Sequence, residues 1–274
     1  MQELGIIARF PLGVYTGHKQ DGSADTFPEP VRLHAALVSS AAQGSLAFTN
    51  EKGELEPSNA SLKALKWLEK NPPDGIEIPE SHPVHKGSIR FTYRNTTNIT
   101  LSSRPKEGQI SDGTALGGNI GWYWKKVPDD IANTLEQLCD DVPYLGESTS
   151  VTVLGPGDVS PNLILDLQGN PLEAVGTMLR IPAPGRTDAL IETYRENNPY
   201  NVPPVGKDKP KKKSVTYECL TQVMYSTPEP EYPEVPWSRV GLLEIEGEEL
   251  SPEEHVALCV ALHRAIIAGI GYGA

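Results

Sequence analysis

The chain has 274 residues, of which 38% are hydrophobic and 22% are charged, a composition typical of a globular protein with its own core. No apolar run approaches the roughly 18 residues that a bilayer span needs, and the first ten residues lack a signal-peptide pattern. The sequence therefore predicts a cytoplasmic protein with no membrane partner. A formal net charge of −12 argues against a uniformly basic surface of the kind that binds phosphate.

The charge is distributed unevenly along the chain. Residues 1–126 hold 14 Lys and Arg against 13 Asp and Glu, whereas the rest of the chain has a net charge of −13. Within the first part, residues 84–126 carry seven cations and two acidic residues. A local basic surface is therefore expected in a chain that is acidic overall, with the acidic second half facing proteins or solvent.

In chain order, the first predicted element is a strand over Leu4–Phe10, a short apolar run that ends at a proline. A helix is predicted between Pro30, because proline is common in the first turn of a helix, and Gly44, because glycine commonly ends one. Ser58–Lys70 is predicted to be a second helix, because leucines recur along one face and a Pro-Pro pair follows.

Two segments of alternating apolar and polar residues follow, at 88–94 and 119–126, and both patterns are typical of half-buried strands. A long, polar, Gly-rich stretch separates them, and such loops commonly carry function. We therefore predict an inserted β-hairpin arm at about 84–126. Its cations are candidate phosphate contacts: Lys86, Arg90, Arg94, Arg104, Lys106, Lys125 and Lys126.

The two tryptophans of the second alternating segment are predicted to lie in the core. The opposite face of that strand would then carry Tyr123 and Lys125, an aromatic and cationic pair of the sort that stacks on unpaired bases.

A helix is predicted to begin at Pro128, and short strands dominate from about residue 150. The chain closes with a helix that begins with a capping box of Ser251 and Glu254. Between the later strands lies a lysine-rich loop, and its Lys211, Lys212 and Lys213 are further candidate phosphate contacts.

Signatures of common enzymes are absent from the sequence, including the phosphate-binding P-loop, the HExxH zinc motif and the GxSxG nucleophile elbow. The three cysteines are far apart, and the histidines lack the clustered partners of a metal site, so no metal or cofactor is expected. His18 and Lys19 follow the first strand in a loop that is suited to touching phosphate. Arg32, at the start of the first helix, is a third candidate beside them.

Three segments together resemble a known family: RFPLGVYTG at 9–17, FPEPVRLHAALVSSAA at 27–42 and VPYLGESTSVTVL at 142–154. They resemble the fifth family of CRISPR-associated (Cas) proteins, in the RAMP superfamily, and in motif order the variant of type I-G systems, formerly called I-U. The shared motifs are Pro28-Glu29-Pro30 with Leu33, and Tyr144-Leu145-Gly146-Glu147-Ser148. Where that family commonly has Arg after Tyr-Leu-Gly, this chain has Glu147.

The resemblance implies an α+β chain with an RRM-like ferredoxin fold over residues 1–155, into which the arm is inserted. A second, strand-rich half would occupy 156–274 and end in a helix. It also implies a non-catalytic subunit of a type I CRISPR surveillance complex (Cascade) that binds and caps the 5′ handle of the guide RNA in antiviral defence. The implied partners are that RNA, the backbone subunits, the large subunit and, indirectly, target DNA.

Two other functions are compatible with the sequence. Relatives in another CRISPR subtype cut repeat RNA without a metal by using Tyr, Lys and His side chains, and Tyr15, His18 and Lys19 supply those residue types in one loop. A protein-only scaffold, whose basic segments meet an acidic partner, would need no RNA.

Overall fold

The structure is a computed structural model that describes residues 1–19, 24–51, 53–84, 88–90, 107–109, 113–167, 176–197, 217–227 and 250–270. The chain divides into two compact units, Met1–Pro230 and Glu231–Ala274. None of the described helices is both long and apolar enough to cross a bilayer.

The first unit begins with strands β1 (Gln2–Arg9) and β2 (Val14–Tyr15), helix α1 (Pro30–Gln43), strands β3 (Ala47–Thr49) and β4 (Leu55–Pro57), and helix α2 (Asn59–Leu68). It continues with β5 (Gly75–Glu77), β6 (Ser81–Pro83), β7 (Ser88–Arg90), β8 (Glu107–Gln109), β9 (Thr114–Leu116), β10 (Ile120–Val127) and α3 (Asp129–Cys139). Its last elements are β11 (Val153–Pro156), β12 (Leu163–Asp166), β13 (Gly176–Pro182), α4 (Arg186–Asn197) and β14 (Leu220–Ser226). The second unit contains α5 (Pro252–Ile270).

Local signals place three of the helices as predicted. Pro30 opens α1, where its missing N–H would have no partner in any case, and the backbone N–H of Gly44 donates to the carbonyl of Ser40 at its end. The hydroxyl of Ser58 accepts a hydrogen bond from the first turn of α2. The capping box of α5 is confirmed, because the backbone N–H of Ser251 donates to Glu254 and the reverse bond also forms.

The main sheet has seven strands in the order β11-β1-β10-β5-β12-β14-β13, and every pairing is antiparallel. Taken along the chain, the four strands at one end of this sheet come in the order β1, β5, β10, β11. Helices α1 and α2 lie between β1 and β5 in sequence, and α3 lies between β10 and β11. This arrangement is compatible with a ferredoxin-like fold. The α+β prediction and the interior position of the first strand are confirmed.

The predicted arm is corrected in one respect. Residues 119–126 do not form its second strand, because they belong to β10 in the middle of the main sheet, where Trp122 and Trp124 are buried in the core. Burying two tryptophans requires the large sheet and its helices, which a projecting hairpin lacks. The hairpin consists instead of β7 and β8, and β6 and β9 pair at its root, where β2 adds a third strand.

The boundary near residue 155 stays a prediction. Strands from both sides of that residue belong to the same sheet, since β12 pairs with β5 and extends the sheet through β14 to β13. One hydrophobic core includes residues from β1 and α1 as well as Leu179 and Tyr225 of the added strands.

The chain crosses the open face of the sheet to reach those added strands. Leaving β11, residues 157–162 pass over β1, β10 and β5 at three glycines. A Cβ atom on Gly5 would overlap the carbonyl oxygen of Gly157, one on Gly121 would lie 2.7 Å from Val159, and one on Gly75 would lie 2.6 Å from Pro161. We call residues 157–162 the crossing segment. It rests directly on backbone because these strands have no side chains there.

Two buried contacts attach α4 to the rest of the unit. The carboxylate of Glu69, at the end of α2, accepts hydrogen bonds from the backbone N–H groups of Gly185 and Thr187 at 2.9 and 2.6 Å. It therefore caps the positive end of α4. Beside it, Nε2 of the buried His34 lies 3.2 Å from the hydroxyl of Thr187.

We expect Gly5→Ala to destabilise the protein by about 1–3 kcal/mol, because the new methyl group meets backbone that cannot rotate away. Gly155→Ala is the matched control, since a Cβ there has no atom within 4 Å. Urea denaturation would measure the free energy of unfolding of both variants. Equal midpoints for the two variants would contradict the close approach.

We also expect His34 to make stability fall in mild acid. Burial lowers the pKa of His34 from 6.5 to about 4, and the nearby Glu69 only partly opposes this. Between these two values the unfolded chain binds the proton and the folded chain does not, so stability is lost as pH falls from about 6.5 towards 4. The loss amounts to about 3 kcal/mol.

Urea midpoints at several pH values would test this for His34→Gln, whose stability should change less over that window than the parent's. His82→Gln is the control, because the side chain of His82 is 75% exposed. An unchanged pH slope in His34→Gln would refute the assignment.

Candidate nucleic-acid interface

The loop after β2 and the Tyr-Leu-Gly-Glu-Ser motif form one substructure, which we call the loop junction (residues 16–19, 24–25 and 144–150). Thr16 is held by Ser150, whose hydroxyl bonds to its backbone N–H at 2.6 Å and lies 2.7 Å from its side-chain hydroxyl. The backbone N–H of Glu147 donates to the Thr16 carbonyl at 3.0 Å. The two motifs thus fix each other's backbone.

Glu147 also closes the junction through its side chain. Its carboxylate oxygen Oε1 lies 2.6 Å from Nδ1 of His18. Gly146 places the motif close to the loop, because it has φ +89° and its α-carbon packs against the carbonyl of Thr16, where no side chain would fit. Glu147, at which the motif differs from the family that the sequence resembles, is therefore a partner of the loop histidine.

A largely buried cluster of four charges lies beneath the loop. Asp25, which is 2% exposed, accepts hydrogen bonds from Nε and Nη2 of Arg32 and lies near Arg180 of β13. Nε of Arg180 donates to Glu29, the residue before α1. Nη2 of Arg32 also donates to the carbonyl of His18. Two cations are thus balanced by two carboxylates, and they tie the loop, α1 and β13 together.

Tyr15 does not reach the surface of this site. It is fully buried, and its ring packs edge-on against Phe10 with the centroids 5.9 Å apart. Burial is the main cause that raises the pKa of its hydroxyl far above the usual value. The Tyr15 hydroxyl is therefore buried, whereas Lys19 is exposed.

The root of the arm adjoins the loop junction. Tyr15 of β2 pairs with Thr114 of β9, and the Thr114 hydroxyl lies 3.4 Å from the Asp25 carbonyl. Because β2 and β9 lie beside the end of the main sheet where β1 finishes and β10 begins, the arm root and the loop junction share that end.

Of the predicted phosphate contacts, the structure brings together His18, Lys19 and Arg32, of which Lys19 is exposed and the other two are held by carboxylates. Lys125 and Lys126 are exposed at the far end of β10, next to the start of β1. At about 3.3 Å per residue along the strand, they lie about 20 Å from the end of the sheet where the junction is. Arg90 belongs to β7, and its side chain is not described. Outside the described residues lie Lys86, Arg94, Arg104, Lys106, Lys211, Lys212 and Lys213.

The face of the sheet that carries Tyr123 is less favourable to phosphate than its sequence suggests. The backbone N–H of Lys125 donates to Asp74, and Glu3 accepts a hydrogen bond from Tyr123. The crossing segment covers the glycines on either side of Tyr123. Carboxylates and polypeptide therefore occupy the surface on which bases would stack.

Two residues were missed by sequence reasoning. Arg9 is exposed at the end of β1, and its carbonyl accepts a hydrogen bond from Thr152 beside the junction. Tyr144, in the motif of the junction, is 44% exposed. Arg9 belongs to the predicted strand Leu4–Phe10, and its position near the end of that strand could have indicated an exposed cation. Tyr144 was noted only as part of the Tyr-Leu-Gly-Glu-Ser motif.

No protein-family model matches the chain, and no curated protein matches it either. Among solved structures, the Cas6 protein of Thermus thermophilus is similar over 57% of this chain, with a TM-score of 0.30 and 14% sequence identity. The chain covers 55% of that protein, about half its length. A likeness at this level identifies neither a family nor an activity.

We expect Asp25→Asn to lower the free energy of unfolding by about 2 kcal/mol, because it leaves two arginines beside a neutral amide. The effect is smaller than for a fully enclosed pair, since both guanidinium groups are partly exposed. Asp188→Asn, which breaks an exposed pair with Lys66, is the control and should leave the urea midpoint nearly unchanged. If Asp25→Asn unfolds at the same urea concentration as the parent, the cluster does not stabilise the contact between β13 and α1.

Proposed function

We propose that this protein is a non-catalytic RNA-binding subunit of a type I CRISPR surveillance complex, in which it holds the 5′ handle of the guide RNA. The observation that carries the proposal is the meeting of the arm root and the loop junction at one end of the main sheet. A strand of RNA held there would meet the hairpin and the motifs of the resemblance together.

The charge distribution supports RNA as the partner at that end. Five of the seven cations of residues 84–126 precede β9, and Arg9 and Lys19 are exposed beside the arm root. Elsewhere the chain is strongly acidic, so a phosphate backbone would be repelled from most other surfaces. The acidic second half is then available for protein partners, for which we propose the backbone subunits and the large subunit of the complex; target DNA would be contacted only indirectly.

The geometry of the loop supports a binding role over RNA cleavage. Acid–base cleavage by Tyr, His and Lys needs all three groups within reach of the scissile phosphate. Here the Tyr15 hydroxyl is buried, and a carboxylate holds His18 at 2.6 Å. This arrangement favours a structural role for the loop.

We expect the triple variant Arg90→Ala, Arg94→Ala and Arg104→Ala to bind repeat RNA about tenfold or more weakly at ~150 mM salt. The slope of log affinity against log salt should fall by about 2, because each contact to single-stranded phosphate contributes about 0.7. Fluorescence anisotropy with labelled RNA measures both quantities. The control with the same loss of charge is Lys63→Ala, Lys66→Ala and Lys70→Ala, on exposed positions in and just after α2.

Parental affinity in the arginine variant would refute the arm as the RNA site, and no RNA binding by the parent would refute the proposed function. The same mixtures, incubated in EDTA and run on a denaturing gel, test the alternative activity. Intact RNA is expected. Cleavage that is lost in His18→Ala would instead establish a metal-independent endoribonuclease.

A further inference from the structure

A groove of about 580 Å³ lies between α1 and residues 141–146. Its lining includes Arg32, Ser39 and Gln43 from the helix, and Asp141, Tyr144 and Gly146 from the segment opposite. This volume is within the range of about 300–1,000 Å³ that small-ligand sites occupy. The groove adjoins the loop junction, because Arg32 donates to the carbonyl of His18 and Gly146 packs on Thr16.

Tyr144 is an exposed aromatic residue on a rigid support. Its neighbour Leu145 is fully buried, and the Leu145 backbone N–H donates to the Ser150 carbonyl at 3.1 Å. Tyr144 itself forms a bridge with Val151 across the turn. A tyrosine on a backbone held in this way has only two side-chain torsions to fix when another ring stacks on it, so little conformational entropy is lost.

The charges around the groove favour a base over a phosphate. Hydrogen bonds from the side chain and backbone of Ser45 lower the pKa of Asp141, which therefore stays ionised, and Glu147 lies at the other end of the same segment. The cation of the groove, Arg32, already uses Nε and Nη2 for Asp25 and His18. Beside these charged groups the groove is lined by Tyr144 and by the neutral polar side chains of Ser39 and Gln43, which suit the face and the edge of a nucleobase.

We propose that this groove holds one unpaired nucleotide of the bound RNA, with its base stacked on Tyr144. This proposal rests on the proposed function. The arm would contact the phosphates of the RNA, and the groove would add a contact to one base. The adjacent nucleotides would continue past the exposed Lys19 towards the arm root.

The test uses the full chain and two fluorescent single strands of about 15 nucleotides, a length that spans a typical binding site. One is oligouridine, and the other has the same backbone with abasic units in place of most uridines. Tyr144→Ala should weaken binding of oligouridine by about tenfold, the loss expected for one stacked base, and leave the abasic strand within about twofold. Tyr144→Phe keeps the ring and should bind as the parent does.

Tyr194→Ala is the matched control. Tyr194 is 50% exposed, close to the 44% of Tyr144, and it lines a second groove of about 580 Å³ on the other side of α1. The salt slope should be the same for Tyr144→Ala and the parent, because stacking releases no counterions. Ultraviolet crosslinking of the parent should join uridine to the peptide that contains Tyr144.

The outcomes separate the groove from the wider function. If Tyr144→Ala binds oligouridine like the parent, or weakens both strands equally, the base site is refuted while RNA binding stands. If Tyr144→Ala loses a protein partner but keeps its RNA affinity, the groove is a protein interface and the proposal fails. If the parent binds repeat RNA but not oligouridine, the base site alone is refuted. If the parent binds neither of them even at low salt, the proposed function fails and the base site fails with it.

Discussion

The chain reaches the strands past β5 by way of the crossing segment, which lies on the bare backbone of three strands. A side chain at Gly5, Gly121 or Gly75 would displace this segment from the sheet. The same close approach has a functional consequence. A four-stranded ferredoxin-like sheet can offer its open face to unpaired bases, but here polypeptide covers the middle of that face. The proposed RNA contact therefore lies at the end of the sheet where the arm root and the loop junction meet.

Ion pairs within the protein remove several cations from the surface that could bind phosphate. Arg32 and Arg180 are drawn into the cluster with Asp25 and Glu29, and His18 is drawn to Glu147, so these cations stabilise structure more than they attract phosphate. Counting cations along the sequence overestimates the binding surface for this reason. The arm differs, since its sequence has few acidic residues to neutralise its lysines and arginines.

Features specified by local sequence could be predicted, and features specified by distant contacts could not. Pro30 and Gly44 bound α1 through effects within one helical turn, and the apolar run of β1 has the length of a strand. Alternation in 119–126 indicated a strand but not its neighbours, so β10 was assigned to the arm instead of the main sheet. Helix α4 escaped prediction because it is polar and its cap, Glu69, comes from α2. In the site, His18, Lys19 and Arg32 could be predicted from their residue types. The carboxylates that pair with His18 and Arg32 could not, because only the folded chain brings Glu147 and Asp25 to them.

The cap that Glu69 provides also has a consequence for the order of events during synthesis. Helix α4 has 12 residues, and an isolated helix of that length is marginal in water. Its N-terminal turn depends on a carboxylate that is translated more than a hundred residues earlier and is positioned once α2 has packed. We therefore expect the later strands and α4 to assemble on an N-terminal part that is already folded instead of nucleating alone. A fragment that begins after β11 would lack that N-terminal part.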